Sequence, residues 1–401
     1  MGNITQKSVL CNCLNLLDIS PFHCPFTDRY TKKLSVGAAI VLFVEGQLQQ
    51  RKALADIVLN LETNKDLQAY TGITSINESS LNRKLNSIPL AYLEWLFARL
   101  AQELKLRKRG AKGIRHFGNL TPVDSTTLSL PSVLGDWAYF QNKHKGVKIH
   151  TRLLSLESDF HIPDEIVLST VGVADMQAVN RLVTQKDTTY IFDRGYVHYG
   201  NFKRWIEECV LFVARLKAKT RYTVLHERSV SKDSHVICDA DVEILDQVSG
   251  QTFRARLVRF QDNKGKMYDV LTNRKELTAE DISEIYRCRW QIELFFKWIK
   301  QHLKAVKFHN NSPHAVWVQL YIGIITYLLC ELIHLESESK LSLWDFIRKL
   351  RYYAMKTWNA FKRVLKRKPR STSRGRQKSL EPPDKPRWTG TKRKTVKIIL
   401  E

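Results

Sequence analysis

Near residue 114 the spacing of apolar residues changes, and this change constrains the fold more than any other feature of the chain. Before it, "KLSVGAAIVLFVEGQ" and "RKALADIVLNL" place apolar residues at helical spacing. After it, "FGNLTPVDSTTLSLP" is strand-like and ends at a turn. "KGVKIHTRLLSL" alternates polar and apolar side chains as a half-buried strand does, and "DEIVLST" is a short, β-branched strand. There follow a helix over "MQAVNRLVTQ", the apolar strand of "TTYIFDRG" stopped by Gly195, a helix over "NFKRWIEECV" and a strand over "LFVARLK". Three strands in succession, then alternating helix and strand, predict an α/β layered core.

Four more strand patterns follow, in "RYTVLHERSV", "SHVICDADVEIL", "TFRARLVRF" and "MYDVLTNR". They read as a β-rich insertion over 217–275. Beyond 306 come two helical segments. The most apolar run, "VWVQLYIGIITYLLC", is too short for a comfortable membrane span and reads as a buried helix. The expected organisation is a helical, DNA-binding region over 1–110 and a core over 111–216 and 276–306. The insertion interrupts that core, a helical region spans 307–365, and a basic tail covers 366–401. In the first region "DLQAYTGITSINESSLNRKLNSIP" reads as helix, turn, helix, with Asn77 or Ser79 as cap. A helix-turn-helix would present Asn82, Arg83 and Lys84 to DNA; an ordinary helical hairpin fits the same pattern.

Charge narrows the partners. Lys and Arg number 64 against 40 acids, a net charge of +24, with a pI near 9.7. Such a chain keeps company with polyanions, and nucleic acid leads. The final 40 residues hold 15 Lys or Arg, a composition expected to stay disordered until it meets a polyanion. Seven scattered cysteines predict free thiols in a reducing compartment. Cys11, Cys13, His23 and Cys24 are not spaced as a standard zinc finger. The first residues lack the basic start and apolar run of a signal peptide, so a soluble intracellular protein is expected.

The stretch "YRCRWQIELFFKWIK", residues 286–300, keeps one carboxylate, Glu293, among cations. On one continuous helix Tyr286, Arg289, Glu293 and Lys300 share an arc of about 60°, apart from a stripe of Cys288, Ile292, Phe295 and Ile299. Glu293 could serve a metal while Arg289 and Lys300 meet phosphates, or it could simply pair with Arg289 one turn away. A metal serving phosphodiester chemistry needs further oxygen ligands. Asp124 and Asp193 each close a mostly apolar run before a turn, a place where an Asp also caps turns. Asp164 and Asp187 close no long apolar strand and rank lower. His144 and His150 read as exposed strand histidines.

Together Asp124, Asp193 and Glu293 resemble the Asp–Asp–Glu triad of transposases with a ribonuclease H-like core. Tyr286, Arg289, Glu293 and Lys300 match Y-x2-R-x3-E-x6-K, similar to the YREK motif of bacterial insertion-sequence transposases of family four. "VDSTT" and "DRGY" resemble that family's contexts for the aspartates. The resemblance spans about 110–310. It implies an α/β, ribonuclease H-like mixed-sheet core with a β-rich insertion and helical regions at both ends. It also implies Mg²⁺, replaceable by Mn²⁺, held by Asp124, Asp193 and Glu293. The reaction would cut at transposon ends and join the freed 3′-OH to target DNA. Tyr286, Arg289 and Lys300, and Arg194 beside Asp193, would bind DNA phosphates. The partners would be terminal inverted repeats and target DNA, the assembly a homodimer, the setting the bacterial cytoplasm at the nucleoid. One departure is that no Trp lies between Trp205 and Trp290, where hairpin-forming relatives place a base-stacking Trp. Tyr222, Phe253, Phe260 and Tyr268 are the aromatics available there. The rivals are a nuclease that only hydrolyses and a transposase-derived DNA-binding protein without catalysis.

Overall fold

The computed structural model describes residues 7–367 apart from 20–27, 30, 109–115, 131–135, 141–143, 158–159, 247–248, 306–307 and 311. The basic tail from 368 onward, His23 and Cys24 lie outside the described residues; Cys11 and Cys13 are free thiols.

The core strands are β1 (Asn119–Ser129), the two-residue β2 (Tyr139–Phe140), β3 (His144–Ser155), β4 (His161–Thr170), β5 (Thr188–Phe192) and β6 (Leu211–Arg215). β3 lies antiparallel between β1 and β4, whereas β5 runs parallel to β1 and β6 parallel to β5. The parallel steps need crossovers, supplied by α7 (Asp175–Leu182) and α8 (Tyr199–Glu207). All five β5 residues are buried, as a continuous apolar run in a sheet covered on both faces requires. The α/β, ribonuclease H-like mixed sheet expected from the sequence is the fold observed.

The insertion strands are β7 (Tyr222–Glu227), β8 (Val236–Leu245), β9 (Thr252–Gln261) and β10 (Met267–Thr272). They do not stand apart. β10 pairs antiparallel with β6, Val270 opposite Arg215, so the insertion prolongs the core sheet and covers the otherwise open edge of β6. Arg256 on β9 is 3% exposed. It grips the Asp239 carboxylate with two bonds of 2.8 Å and donates to the carbonyls of Arg274 and Leu277 at 3.0 and 2.6 Å. The insertion is thereby pinned to the segment entering α9 (Ala279–Arg287).

The other helices are α1 (Val9–Leu17), α2 (Val36–Leu48), α3 (Leu54–Thr63), α4 (Lys65–Thr71), α5 (Glu78–Leu85), α6 (Leu90–Arg107), α10 (Trp290–Ala305), α11 (Pro313–Glu336), α12 (Leu343–Tyr353) and α13 (Trp358–Leu365). One apolar core joins the N-terminal helices, α10, α11 and one face of β3 and β4. The first and last described segments therefore share a core, and Val9 N–H and Trp358 N–H donate across them to Lys356 and Lys7 carbonyls. By length and composition α11 could cross a membrane, yet 94% of its most apolar window is buried inside the protein.

Asn77, not Ser79, caps α5: its side chain accepts from Ser79 N–H at 2.8 Å. The helix does not offer all three expected DNA contacts. Lys84 is bound to Asp28 at 2.9 Å and Asn82 accepts from Asn310 at 2.9 Å, so only Arg83 is exposed.

Glu331 on α11 is 7% exposed and accepts from the Tyr327 hydroxyl at 2.9 Å. Burial pushes its carboxyl up to about 7, against the pull of the Tyr327 bond and Lys108. With the folded value above the unfolded one, the stabilisation is present below the unfolded value and lost as pH rises through about 7. Glu331→Gln is therefore expected to remove a decline in urea-unfolding stability between pH 5 and 8, worth up to about 3 kcal/mol. Equal pH profiles for the two proteins would contradict this.

Candidate active site

Val123 of β1 and Phe192 of β5 are partners in parallel register, and each is followed by an aspartate. Asp124 and Asp193 thus stand side by side at the point where two adjacent parallel strands part. β1 continues against β3, whereas the chain leaves β5 through Asp193 into a turn of 3₁₀ helix over Arg194–Tyr196. Asp124 Oδ1 accepts from the Ser125 N–H at 2.8 Å.

Residues 286–300 are not one helix. α9, capped by Thr278 through the Asp281 N–H at 3.1 Å, ends at Arg287, and α10 begins at Trp290. Between them the N–H groups of Arg289, Gln291 and Ile292 donate three residues back. Tyr286 and Glu293 therefore belong to different helices rather than one continuous helix, and Arg289 contacts both. The apolar stripe largely forms: Ile292, Phe295 and Ile299 are buried and Cys288 is half-buried.

The break aims Arg289 at the acids. Its guanidinium donates to Glu293 Oε1 at 2.5 Å and lies 3.8 Å from Asp124 Oδ2. The Tyr286 hydroxyl donates to Asp193 Oδ1 at 3.3 Å, and Arg215 Nη1 lies 3.8 Å from the same oxygen. Arg215 sits over the Tyr268 ring at 4.7 Å and Arg289 over Tyr286 at 5.8 Å. Burial raises the Asp124 carboxyl to about 6; the Ser125 N–H and Arg289 oppose this, and the charges of Asp193 and Asp175 add to it. Burial, then the charge of Asp193, also raises the Tyr286 phenol.

Lys300 and Arg194 are exposed. Lys300 lies two turns beyond Glu293, about 10 Å along α10. Of the insertion aromatics, Phe253 and Phe260 are buried core, and Tyr268 stacks on Phe260 at 5.4 Å. Tyr268, Tyr286, Arg289 and the exposed Trp290 line a cleft beside the acids. Asp164 is held by Arg152 and Lys105 and is structural. His150 is fully buried, not exposed, because helices cover both faces of β3. Sequence reasoning missed Arg215 and Asp175. The signal for Arg215 would be its position at the end of β6, next to β5.

Three carboxylates offer only hard oxygen donors, which suits Mg²⁺ or Mn²⁺ rather than a soft metal. Among the described residues no three His, Cys, Asp or Glu side chains are already gathered as a cage. Arg289 instead supplies the positive charge between Asp124 and Glu293. By its oxygen chemistry the donor set fits a divalent cation.

Residues 115–329 match the family model described as a transposase DDE domain. A chain of Geobacillus stearothermophilus, described as a probable transposase for insertion sequence element IS5377, is 27% identical over 293 residues, 71% of this chain and 75% of its own length. A Sinorhizobium fredii chain described as transposase y4zB is 31% identical over 248 residues, 60% of this chain and 67% of its own. A Synechocystis chain described as a transposase for insertion sequence element IS4SA is 26% identical over 341 residues, 82% and 89%.

Proposed function

The chain belongs to the DDE transposase family, and we propose that it cuts DNA at transposon ends and joins the freed 3′-OH to target DNA, with Asp124, Asp193 and Glu293 as its catalytic acids. One observation carries this reading: Asp124, within β1 rather than at its end, and Asp193, just past β5, follow one register pair of adjacent parallel strands, and a glutamate from a separate helix is tied to Asp124 through Arg289. The sheet register sets Asp124 and Asp193 after one strand pair, and Arg289 links Asp124 to Glu293.

When bound, a divalent metal pair stabilises the attacking and leaving oxygens of an in-line displacement. The chain's own groups do the rest. The three carboxylates hold the cations on rigid elements. Arg289 would offer its planar fork to the phosphate, with Lys300 and Arg194 as further charges along the strand. Tyr286, held against Asp193, lines the same cleft. The match to the YREK pattern supports membership of insertion-sequence family four. The N-terminal helices, the insertion and the basic tail complete the DNA-facing surface. Two protomers would act together, because two DNA ends must be handled at once. Mg²⁺ is the working metal and Mn²⁺ a substitute.

Purified protein with Mg²⁺ is expected to cut DNA carrying its own element's terminal inverted repeats. Given a pre-cut end with a free 3′-OH, it is expected to yield joined products. Cutting without joining would leave a hydrolytic nuclease; binding without either would leave a DNA-binding descendant.

A further inference from the structure

We infer that Asp175 is a positioning residue that sets Asp124, through Ser125, for metal binding; this rests on the proposed function. Asp175 is the first residue of α7, yet that helix start is served by Gln177, whose side chain accepts from the Ala174 N–H at 3.1 Å. The Asp175 carboxylate points elsewhere. Its Oδ1 accepts from the Ser125 hydroxyl at 2.7 Å and from Lys148 Nζ at 3.2 Å, and lies 3.6 Å from His150 Nδ1. Its Oδ2 faces the turn after β5, where a Cβ added to Gly195 would lie 3.6 Å away. One carboxylate thus bonds the residue after Asp124 and stands near the residue two beyond Asp193.

The link to Asp124 is short. Ser125 presents its hydroxyl to Asp175 and its N–H to Asp124 Oδ1, so fixing the one end aims the other. Lys148, also bound to the Val173 carbonyl at 3.0 Å, keeps Asp175 in place and neutralises it. The surroundings are closed: His150 is 0% and Tyr196 1% exposed. His150 Nε2 meets Ser169 Oγ at 2.8 Å, His150 Nδ1 faces Asp175, and the Tyr196 hydroxyl interacts with Ser125. Groups that orient ligands in this way typically change metal affinity or activity 10- to 100-fold when removed (roughly).

The full chain, metal-free, is titrated with Mn²⁺ by electron paramagnetic resonance. Cutting of terminal-repeat DNA is followed against Mg²⁺ concentration on the same preparations. Asp175→Ala is expected to raise the half-saturating metal concentration by roughly 10- to 100-fold in both assays, with DNA affinity unchanged. Asp175→Asn still accepts from Ser125 and Lys148 and should fall between. Ser125→Ala should resemble Asp175→Ala, and the double variant should be no worse than the worse single one, because both break the same link. Wild-type metal dependence in Ser125→Ala and Asp175→Asn, or additive losses in the double variant, would overturn the inference; these variants carry the test even if Asp175→Ala fails to fold. Asp124→Ala serves as reference: if it still binds Mn²⁺ and cuts, the site assignment itself fails, a separate outcome.

Discussion

Asp124→Ala, Asp193→Ala and Glu293→Ala are each expected to lose DNA cutting and joining by on the order of 10³-fold or more while still binding terminal-repeat DNA. The charge logic is direct. On the proposed assignment each substitution removes a metal oxygen ligand, and it also leaves Arg289 or Arg215 with one carboxylate fewer. The cleft becomes more positive, so affinity for phosphates does not fall. Nor should the fold suffer. Burial raises the Asp124 carboxyl to about 6, so holding its charge there costs stability that the alanine variant does not lose. Glu293→Gln keeps an acceptor for Arg289 but lacks the charge. It should be as inactive as Glu293→Ala, which separates the ligand role from the Arg289 hydrogen bond. Gel shift and cleavage on one preparation decide the matter, and wild-type cutting by any of the three alanine variants would sink the assignment of that acid.

Arg256→Ala is expected to cost about 3 kcal/mol or more in urea unfolding, although it touches none of the acids. The substitution strands Asp239, 6% exposed, and removes the donor to two carbonyls just ahead of α9. Arg228, 3.2 Å from Asp239, offsets only part of this. Replacing Arg256 and Asp239 together by apolar residues should cost less than Arg256→Ala alone, because no charge is then left buried and unpaired. Cutting should fall as well, since α9 carries Tyr286 and leads into the turn of Arg289. A loss below about 1 kcal/mol, the scale of an exposed ion pair, would show that the insertion is not pinned in this way.

How much was legible can be judged from single residues. "TTYIF" announced a strand because five consecutive apolar or β-branched residues suit a sheet covered on both faces. Asp193 was visible as its terminator. Asp124 and Glu293 were visible mainly through their match to a motif, because an Asp after a strand and a Glu beside an Arg are each commonplace. His150 was misread: alternation along β3 tells which residues share a face, but not that helices cover both faces. Lys84 was misread because its partner Asp28 lies 56 residues away. The break at Cys288–Arg289 was missed because the apolar spacing of 286–300 runs on through it and no Pro or Gly marks it.

The sequence by itself determined the order of elements, the positive charge and the kinds of group available to a site, because periodicity, composition and side-chain chemistry are local properties. Only the tertiary structure decided that β10 extends the core sheet, that Asp124 and Asp193 leave one register pair together, and that Arg289 reaches both Asp124 and Glu293. Apart from the Arg289–Glu293 pair, one turn apart and foreseeable, those are relations between residues tens to well over a hundred positions apart, and they are set by strand register and by the turn between two helices.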